Sequence, residues 1–256
     1  NFGVALLEIL QSLFFTRADV RGKVHMERSE TADALKNTGN LLMITAHLGN
    51  WEMALQFAAC YMKTPPVAVA RTIANPTVDR WVHRIRTRFG AQIITKKGGL
   101  PEMTRALRNG RVLALLIDQG MKAGEGVEVR FFGHKVKATS AVAMLAMRCK
   151  SGVIPAFCVR DREGLGVIVD APLKLQRTRN MRADIIANTQ MMLDAIEKAV
   201  RAYPEQWFWF HKRWKVHYPY LYREDLERKR RQREKQRKKL LRAETRPGPR
   251  ERRADL

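Results

Sequence analysis

The sequence predicts one α/β domain with a central, mostly parallel or mixed sheet flanked by helices, followed by a basic tail that is helical or disordered. Two observations support this fold class. Short apolar runs typical of buried strands alternate with segments of helical periodicity along much of the chain. The 256 residues are 45% apolar, which suffices for one sizeable core and excludes wholesale disorder. We therefore expect a domain over residues 1–222 and the basic tail over residues 223–256.

The predicted strands are six short apolar runs, at residues 40–46, 66–71, 91–95, 111–117, 153–159 and 165–169. The predicted helices lie between and after them, at residues 50–62, 76–89, 101–108, 139–148 and 181–202. A polar, glycine-rich loop is expected at residues 120–126. The helix at 76–89 carries its apolar residues on one face and Arg80, Arg84 and Arg88 on another.

Residues 2–15 form an apolar stretch that is interrupted by Glu8 and Gln11. The stretch is too short to cross a bilayer, which takes about 20 apolar residues. It predicts a core helix or an amphipathic helix at a membrane interface. Because the chain begins at Asn1 rather than Met, we expect that an upstream segment is missing.

The net charge of +23 is spread over the whole chain. Residues 223–256 hold 15 basic and 7 acidic side chains, a net charge of +8, and the rest of the chain carries +15. Residues 223–242 have a helix-forming composition without a heptad seam, whereas Arg-Pro-Gly-Pro at 246–249 stops any helix. Such a surface attracts polyanions: nucleic acid, an anionic membrane or a phosphorylated substrate.

The three cysteines, Cys60, Cys149 and Cys158, are too few and too scattered for a disulfide framework, so a reducing compartment is expected. The sequence contains no Cys-x-x-Cys pair, no His-Glu-x-x-His helix and no Walker loop. It also lacks the Gly-x-Ser-x-Gly elbow of a nucleophilic serine. Neither a metal site nor a nucleophilic serine or cysteine is therefore expected.

His47 and Glu52 form the clearest catalytic pattern, in the segment His-Leu-Gly-Asn-Trp-Glu directly after the first predicted strand. His47 lies at the carboxyl end of that strand, where sites in open α/β sheets gather, and Glu52 lies in the first turn of the next helix. A histidine oriented by a carboxylate is a general base that can activate a substrate hydroxyl for attack on an acyl carbonyl. The alternatives are a structural histidine and a carboxylate that stabilises the helix dipole.

His47 and Glu52 also fit the HX4(D/E) motif of membrane glycerolipid acyltransferases, and the wider segment resembles the bacterial lipid A biosynthesis acyltransferase family. Further blocks resemble that family in order and spacing over about residues 1–220. These blocks are Arg71 with Asn75-Pro76, Asp118-Gln119, Phe131-Phe132-Gly133, Ala138-Thr139, Ala146-Met147-Arg148, Ile154-Pro155 with Arg160, and the segment at 204–214. Several ordered blocks are more specific than the HX4E motif alone.

The resemblance implies catalytic roles for four residues. His47 would take the proton from an acceptor hydroxyl, and Glu52 would orient His47. Arg71 would stabilise the oxyanion formed at a thioester carbonyl, or alternatively bind a phosphate of the acceptor. Asp118 would position a sugar hydroxyl, orient a basic residue or cap the loop after the fourth predicted strand.

Substrate-binding roles are expected for seven further residues: Asn50, Trp51, Phe131, Phe132, Gly133, Arg84 and Arg213. The aromatic residues would line an acyl groove, with Phe131 and Phe132 in a loop, and packing in the core is the alternative. Arg84 and Arg213 would bind lipid phosphates at a membrane interface, and a solvated surface is the alternative.

The implied reaction needs no metal or redox cofactor. The acyl donor would be a thioester of acyl carrier protein or coenzyme A, and the acceptor a phosphorylated glycolipid at the cytoplasmic face of the bacterial inner membrane. An anionic membrane surface and an acidic carrier protein would both suit the positive charge. Members of the family usually carry an N-terminal membrane helix, which we expect upstream of Asn1.

Two other interpretations are open. One is an acyltransferase for another lipid acceptor, such as a phosphoglycolipid, a lysophospholipid or an aminoacyl lipid, because these acceptors share the HX4E chemistry. The other is a nucleic-acid-binding protein, which the net charge suggests. The sequence has no RNP, KH or helix-turn-helix signature, so nucleic acid is not expected as a partner.

Overall fold

The structure, a computed structural model, describes residues 2–26, 30–35, 37–224, 226–228, 230–231 and 234. Its helices are α1 (Phe2–Gln11), α2 (Arg17–Lys23), α3 (Glu30–Leu35), α4 (Trp51–Tyr61), α5 (Pro76–Thr87), α6 (Leu100–Arg108), α7 (Ala141–Cys149) and α8 (Met181–Ala202). Its strands are β1 (Val24–Met26), β2 (Leu41–Thr45), β3 (Val67–Ala70), β4 (Gln92–Thr95), β5 (Val112–Leu116), β6 (Val127–Phe131), β7 (His134–Ala138), β8 (Gly152–Arg160) and β9 (Leu165–Val169). The chain forms two compact units, Asn1–Arg213 and Trp214–Leu256, and these helices and strands all belong to the first.

Seven strands form one sheet in the order β1-β9-β8-β2-β5-β3-β4, and β6 and β7 form a separate antiparallel hairpin. Strands β8, β2, β5, β3 and β4 run parallel to one another. Strand β9 runs antiparallel to β8, and β1 runs parallel to β9. The carboxyl ends of the five parallel strands therefore meet at one edge of the sheet, hereafter the carboxyl edge.

The central strands β2 and β5 form from apolar sequences without strict alternation. They pair in register from Leu41 opposite Val112 to Thr45 opposite Leu116, and three of five side chains in each strand are buried. A continuous apolar run is what a strand covered on both faces requires.

The helices cover both faces of the sheet because crossover connections are right-handed. The connection β2-α4-β3 runs toward β4, whereas β4-α6-β5 returns in the opposite direction, so α4 and α6 lie on opposite faces. Helix α4 packs against α2 and α5, and α7 packs against α6 and α8. The core consists of the apolar side chains buried between the helices and the sheet.

The predicted fold class is confirmed: each predicted strand and each predicted helix before the tail has a counterpart in the structure. The sequence analysis missed β1, α2, α3 and the β6–β7 hairpin. The hairpin escaped because β6 alternates two buried residues, Val129 and Phe131, with the exposed charges of Glu128 and Arg130. Such a short, half-charged strand resembles a polar loop in sequence.

Among the residues that the structure describes, no helix is both long enough and apolar enough to cross a membrane. The predicted tail helix is helical at its described positions up to Glu234. The remainder of the tail, with the Arg-Pro-Gly-Pro sequence and the expected disorder, lies outside the described residues.

Candidate active site

The backbone of His47 is held by residues 204–213, here named the closing segment. The carbonyl of His47 accepts a hydrogen bond from Phe208 N at 2.9 Å. Two residues later, Gly49 N donates to the carbonyl of Gln206 at 3.0 Å. The closing segment therefore lies beside the His47 segment like an added antiparallel strand.

Gly49 is required by a close approach to β8. Its φ is +59°, and a Cβ atom on it would lie 2.1 Å from the carbonyl oxygen of Cys158. That carbonyl also accepts a hydrogen bond from Asn50 N at 2.9 Å. Only glycine lets the chain pass so close to β8 and still turn into α4.

Asp118, directly beyond β5, binds His47 twice. His47 Nδ1 lies 2.8 Å from Asp118 Oδ1, and His47 N donates to Oδ2 at 3.0 Å. Trp207 Nε1 also donates to Oδ2, at 2.9 Å. Burial alone would raise the pKa of Asp118, but the hydrogen bonds from His47 and Trp207 outweigh it and hold that pKa below its usual value. Of the roles expected for Asp118, the structure selects the orientation of a basic residue.

The other ring nitrogen of His47, Nε2, contacts the side-chain amide of Gln119. With Nδ1 bound to a carboxylate, the hydrogen-bond pattern assigns the proton to Nδ1 and leaves Nε2 as an acceptor. Nε2 lies 3.4 Å from the side-chain amide nitrogen of Gln119, and the side chain of His47 is 21% exposed. This is the geometry of a general base at the carboxyl edge.

Glu52 binds Arg86 and not His47, so the expected orienting role of Glu52 is wrong. Arg86 Nε donates to Glu52 Oε2 at 2.9 Å, and Arg86 Nη2 donates to Oε1 at 2.5 Å. Burial lowers the pKa of Arg86, but the hydrogen bonds and charge of Glu52 outweigh it and raise that pKa. Glu52 projects from α4 toward α5, whereas the ring of His47 turns toward the end of β5.

Arg86 is a residue that the sequence analysis missed. It shares a helix face with Val82 and Phe89, four residues before it and three after it. A charged residue on the apolar face of an amphipathic helix needs a buried partner, and this signal could have identified it.

Asn50 is 1% exposed and bonded within the protein, so its expected role in substrate binding is wrong. Its Oδ1 accepts a hydrogen bond from Met53 N at 3.0 Å, which caps α4, and its Nδ2 donates to Glu8 at 2.9 Å. Trp51, by contrast, is half-buried and meets the ring of His47 edge-on, with the ring centroids 5.0 Å apart.

Phe131, Phe132 and Gly133 lie in the β6–β7 hairpin, not in a loop along a groove. Phe131 is fully buried and packs against Trp207 at 5.7 Å, so its expected contact with substrate is wrong. Phe132 and Gly133 form the turn with φ of 52° and 75°. The guanidinium of Arg201 lies 4.6 Å from the centre of the Phe132 ring. Phe131 thus packs against the indole that donates to Asp118.

Arg213 is 2% exposed, so its expected contact with lipid phosphates at the surface is wrong. Its guanidinium lies over the ring of Phe131 at 5.3 Å, and Nη1 donates to Lys137 O at 3.3 Å. Within the described part of the chain, Nε and Nη2 have no hydrogen-bond partner. Burial lowers the pKa of Arg213 to about 10, against the opposing charge of Asp118.

Arg71 and Arg84 are exposed cations. Arg71 directly follows β3 at the carboxyl edge, and Arg84 lies on the outer side of α5. Burial lowers the pKa of His211; the charges of Arg213 and Arg71 add to that shift, and the charge of Asp118 opposes it. Arg71 is therefore close enough to His211 to affect its pKa.

The site brings together a partly exposed histidine, its buried carboxylate and an indole donor, with the exposed Arg71 at the same edge. Within the described ranges, no group of three or more His, Cys, Asp or Glu side chains is arranged to hold a metal ion. The sequence profile of one protein family, the bacterial lipid A biosynthesis acyltransferases, matches residues 1–216. The chain belongs to this family. The match spans every residue of the candidate site described above.

Two curated relatives are similar to this chain. The lipid A biosynthesis acyltransferase of Haemophilus influenzae is 25% identical over 201 residues, 74% of this chain and 60% of the relative. The lipid A biosynthesis lauroyltransferase of Escherichia coli is 26% identical over 198 residues, 75% of this chain and 61% of the relative. The chain thus spans about three-fifths of the length of these relatives.

One solved structure is also similar, the 1-acyl-sn-glycerophosphate acyltransferase of Thermotoga maritima. It aligns with a TM-score of 0.42 and 14% identity, over 79% of this chain and 88% of that one. A similarity this loose bears on neither the site nor the function.

Proposed function

We propose that this chain transfers a fatty acyl chain from an acyl thioester to a hydroxyl of a phosphorylated glycolipid, as a late acylation step in lipid A biosynthesis. One observation carries the proposal: the hydrogen-bonded series Trp207–Asp118–His47 ends in a histidine ring that is partly exposed at the carboxyl edge. Family membership supports the reaction class, and the names of the relatives support lipid A as the end product. The chemistry needs no metal or redox group.

The proton transfer runs through His47 Nε2. This atom takes the proton of the acceptor hydroxyl while the hydroxyl oxygen attacks the thioester carbonyl carbon, which gives a tetrahedral intermediate. The intermediate collapses by breaking the C–S bond, and the imidazolium returns the proton to the thiolate. The products are the new ester and the free thiol of the carrier. Asp118 stabilises the imidazolium, because its ionised carboxylate lies 2.8 Å from Nδ1.

Arg71 suits two roles in this reaction. Its exposed position just beyond β3 allows it to stabilise the negative charge that develops on the thioester oxygen. The same position suits a contact with a phosphate of the acceptor. An Arg71→Ala variant separates the roles, because loss of a phosphate contact raises KM, whereas loss of transition-state stabilisation lowers kcat.

A narrow apolar cavity of about 90 Å³ between α4 and the sheet, here named the α4 cavity, supports binding of the donor chain. Methionines contribute to its walls at three places: Met26, Met43 and Met62. Methionine side chains re-pack readily, so the cavity can widen around a hydrocarbon chain. Trp51 and the Glu52–Arg86 ion pair also line it, and Trp51 contacts His47. The thioester end of the donor would therefore lie next to the general base.

The outer face of α1 supports attachment to a membrane surface. Large apolar side chains that are 44–85% exposed lie along α1 and the turn after it: Leu6, Leu7, Leu10 and Phe14. Arg88, which directly follows α5, donates hydrogen bonds to the carbonyls of Ser12 and Leu13 and so fixes this turn against the end of that cationic helix. Apolar side chains next to arginines suit an anionic lipid interface.

These features support the cytoplasmic face of a bacterial inner membrane as the place of reaction. The donor would be a thioester of acyl carrier protein or coenzyme A. An acidic carrier protein would be attracted by the net charge of +23, which raises its rate of association.

The reaction is tested with the full chain, lauroyl-acyl carrier protein and a phosphorylated glycolipid precursor of lipid A, with the products analysed by mass spectrometry. We expect a mass gain of one acyl chain on the glycolipid. His47→Ala should abolish it, whereas His134→Ala, at an exposed histidine of β7, should not. Unchanged transfer by His47→Ala would remove His47 from the mechanism. Acylation of a lysophospholipid in place of the glycolipid would favour another acceptor.

Membrane attachment is tested by sedimentation with vesicles that contain phosphatidylglycerol. Leu7→Glu should reduce the bound fraction, because it places a carboxylate on the exposed face of α1. Met181→Glu, at a residue of α8 that is 65% exposed, is the matched control. Equal binding of the two variants would contradict the assigned face.

A competition experiment adds RNA to the vesicles, with the full chain and with a chain that lacks the tail. If RNA prevents vesicle binding only when the tail is present, the tail has affinity for nucleic acid.

A further inference from the structure

A second cavity lies between α6 and α7, on the face of the sheet opposite α4, and is here named the α6 cavity. Its volume of about 420 Å³ falls within the range of roughly 300–1,000 Å³ that is typical of small-ligand sites. Most of its wall is apolar, with large side chains from both helices and the loop after β5: Leu100, Met103, Met121, Val142 and Met144. The catalytic steps described above make no use of it.

The two cavities are separated by the sheet alone. Leu116 of β5 and Val69 of β3 line both of them. Because α4 and α6 cover opposite faces, a chain in the α4 cavity and a chain in the α6 cavity would lie on opposite sides of the same two strands. Two hydrocarbon chains can therefore be bound at once without sharing space.

The α6 cavity reaches the catalytic edge through the end of β5. Ile117 lines it and immediately precedes Asp118. Met121 lines it as well, and its backbone N donates to Lys137 O at 3.1 Å, which fixes this wall to β7. Between them lies Gln119, whose side-chain amide is 3.4 Å from His47 Nε2. The lining of the cavity therefore extends to the residue that precedes Asp118, and Gln119 lies between this part of the wall and His47.

The rim of the cavity is cationic, and its apolar wall continues to the surface. Lys96 lines the rim. Burial lowers the pKa of Lys96, the charge of Arg71 adds to this shift, and Glu125 opposes it. Leu100 and Met144 at the rim are 38% and 39% exposed. A cationic rim beside an accessible apolar cavity complements an amphiphile with an anionic group and a hydrocarbon chain.

We propose that the α6 cavity binds a hydrocarbon chain of the lipid acceptor, with Lys96 contacting an anionic group of the same molecule. This inference rests on the proposed function and adds a substrate subsite to it. The transfer joins two molecules that each carry a hydrocarbon chain, and the α4 cavity serves the donor. The acceptor hydroxyl then approaches His47 from the side of Gln119, while the thioester approaches from the side of Trp51.

The kinetic test uses the full chain and two pairs of matched variants. Met144→Trp fills the cavity mouth, and Met181→Trp places the same side chain at an exposed position of α8. Lys96→Gln removes the rim charge, and Lys97→Gln removes a neighbouring exposed charge. We expect the acceptor KM to rise about tenfold in Met144→Trp and about five- to tenfold in Lys96→Gln, with the donor KM unchanged. The two controls should stay within about twofold of wild type.

Two kinetic results would overturn the proposal. A rise in the donor KM, with the acceptor KM unchanged, would assign the α6 cavity to the donor chain. Equal acceptor KM values in all four variants and wild type would exclude the cavity from acceptor binding. Thermal unfolding of each variant confirms that the fold is intact.

A binding measurement separates this inference from the proposed function. Dodecyl phosphate, used below its micellar concentration, is titrated calorimetrically into wild type and the four variants. We expect Met144→Trp and Lys96→Gln to bind dodecyl phosphate more weakly than wild type, and the two control variants to bind it as wild type does. If wild type shows no His47-dependent transfer but this binding pattern is observed, the proposed reaction is rejected and the proposed amphiphile site is retained. If transfer depends on His47 but both pairs bind dodecyl phosphate equally, the site fails and the reaction stands.

Discussion

Asp118 is bound to His47 by two hydrogen bonds, one from the ring and one from the backbone of the same residue. The ring contact determines the tautomer of the imidazole, and the backbone contact fixes the position of the His47 main chain from which the ring projects. The carboxylate cannot rotate away without breaking both bonds. Residues 47 and 118 therefore act as one rigid unit at the ends of neighbouring strands.

The first prediction concerns Asp118→Asn. An amide can donate to Nδ1 and thereby favour the tautomer that carries its proton on Nε2, which cannot act as a base. We expect kcat to fall at least about a hundredfold with little change in the acceptor KM. The control is Asp161→Asn, in the exposed His25–Asp161 pair. A kcat within threefold of wild type would refute the assigned role.

The second prediction concerns the pH dependence of stability. A carboxyl whose pKa is lowered by folding contributes stability above its unfolded value of 3.8, and this contribution is lost as the pH falls through the lower folded value. The free energy of unfolding of wild type should therefore fall more steeply than that of Asp118→Asn below about pH 5. Urea denaturation at several pH values measures both slopes, and parallel curves would contradict the lowered pKa.

The third prediction concerns the Glu52–Arg86 pair, whose side chains are 10% and 22% exposed. Replacing either partner alone with glutamine leaves the other charge buried and should cost about 3–5 kcal/mol. The double variant should lose less than the sum of the single losses. The exposed pair Glu128–Lys135 is the control and should show a coupling of about 0–1 kcal/mol. Additive losses in the Glu52–Arg86 cycle would argue against a coupled pair.

The fourth prediction concerns Gly49→Ala. The new Cβ would overlap the carbonyl oxygen of Cys158, so the loop before α4 must move, and both the melting temperature and activity should fall. Gly124→Ala is the control, because Gly124 also has a positive φ but has open space around its Cβ position. The control should lose only about 1 kcal/mol, the cost of the backbone conformation. Equal losses in the two variants would show that the close approach is unimportant.

The fifth prediction concerns Trp207→Phe, which keeps an aromatic ring but removes the N–H that binds Asp118. We expect about a tenfold drop in kcat, since one donor to the buried carboxylate is lost. Trp209→Phe removes a comparable indole donor that binds Pro204 O at a half-exposed residue, and its kcat should remain near that of wild type. A larger effect at Trp209 than at Trp207 would reverse the assignment.

Much of the fold follows from local sequence, because strands buried on both faces need continuous apolar runs. The runs that became β2 and β5 were unmistakable for this reason. The β6–β7 hairpin was harder to recognise. It is buried in part by α8, which packs on β6 from far along the chain. Sequence pattern therefore identifies strands that are covered on both faces more readily than strands that are covered on one face by a single distant element.

The site was predicted in its parts but not in its pairing. His47 and Asp118 each follow an apolar strand, which places them at one edge, but their contact depends on β2 and β5 being neighbours. Glu52 is nearer to His47 in sequence, yet its position on α4 directs it to Arg86. The direction of a side chain from a helix and the order of strands in a sheet are tertiary properties, so spacing alone selected the wrong carboxylate.

The closing segment also determines when the site can exist during synthesis. Trp207 follows its partner Asp118 by 89 residues, and Phe208 fixes the backbone of His47 from still farther along the chain. A nascent chain that has emerged only to β9 already carries His47 and Asp118 but lacks the hydrogen bonds from Trp207 and Phe208. Such distant contacts form late, because long loops must close first. Under the proposed function, a nascent chain that stops before the closing segment should therefore be unable to transfer acyl groups.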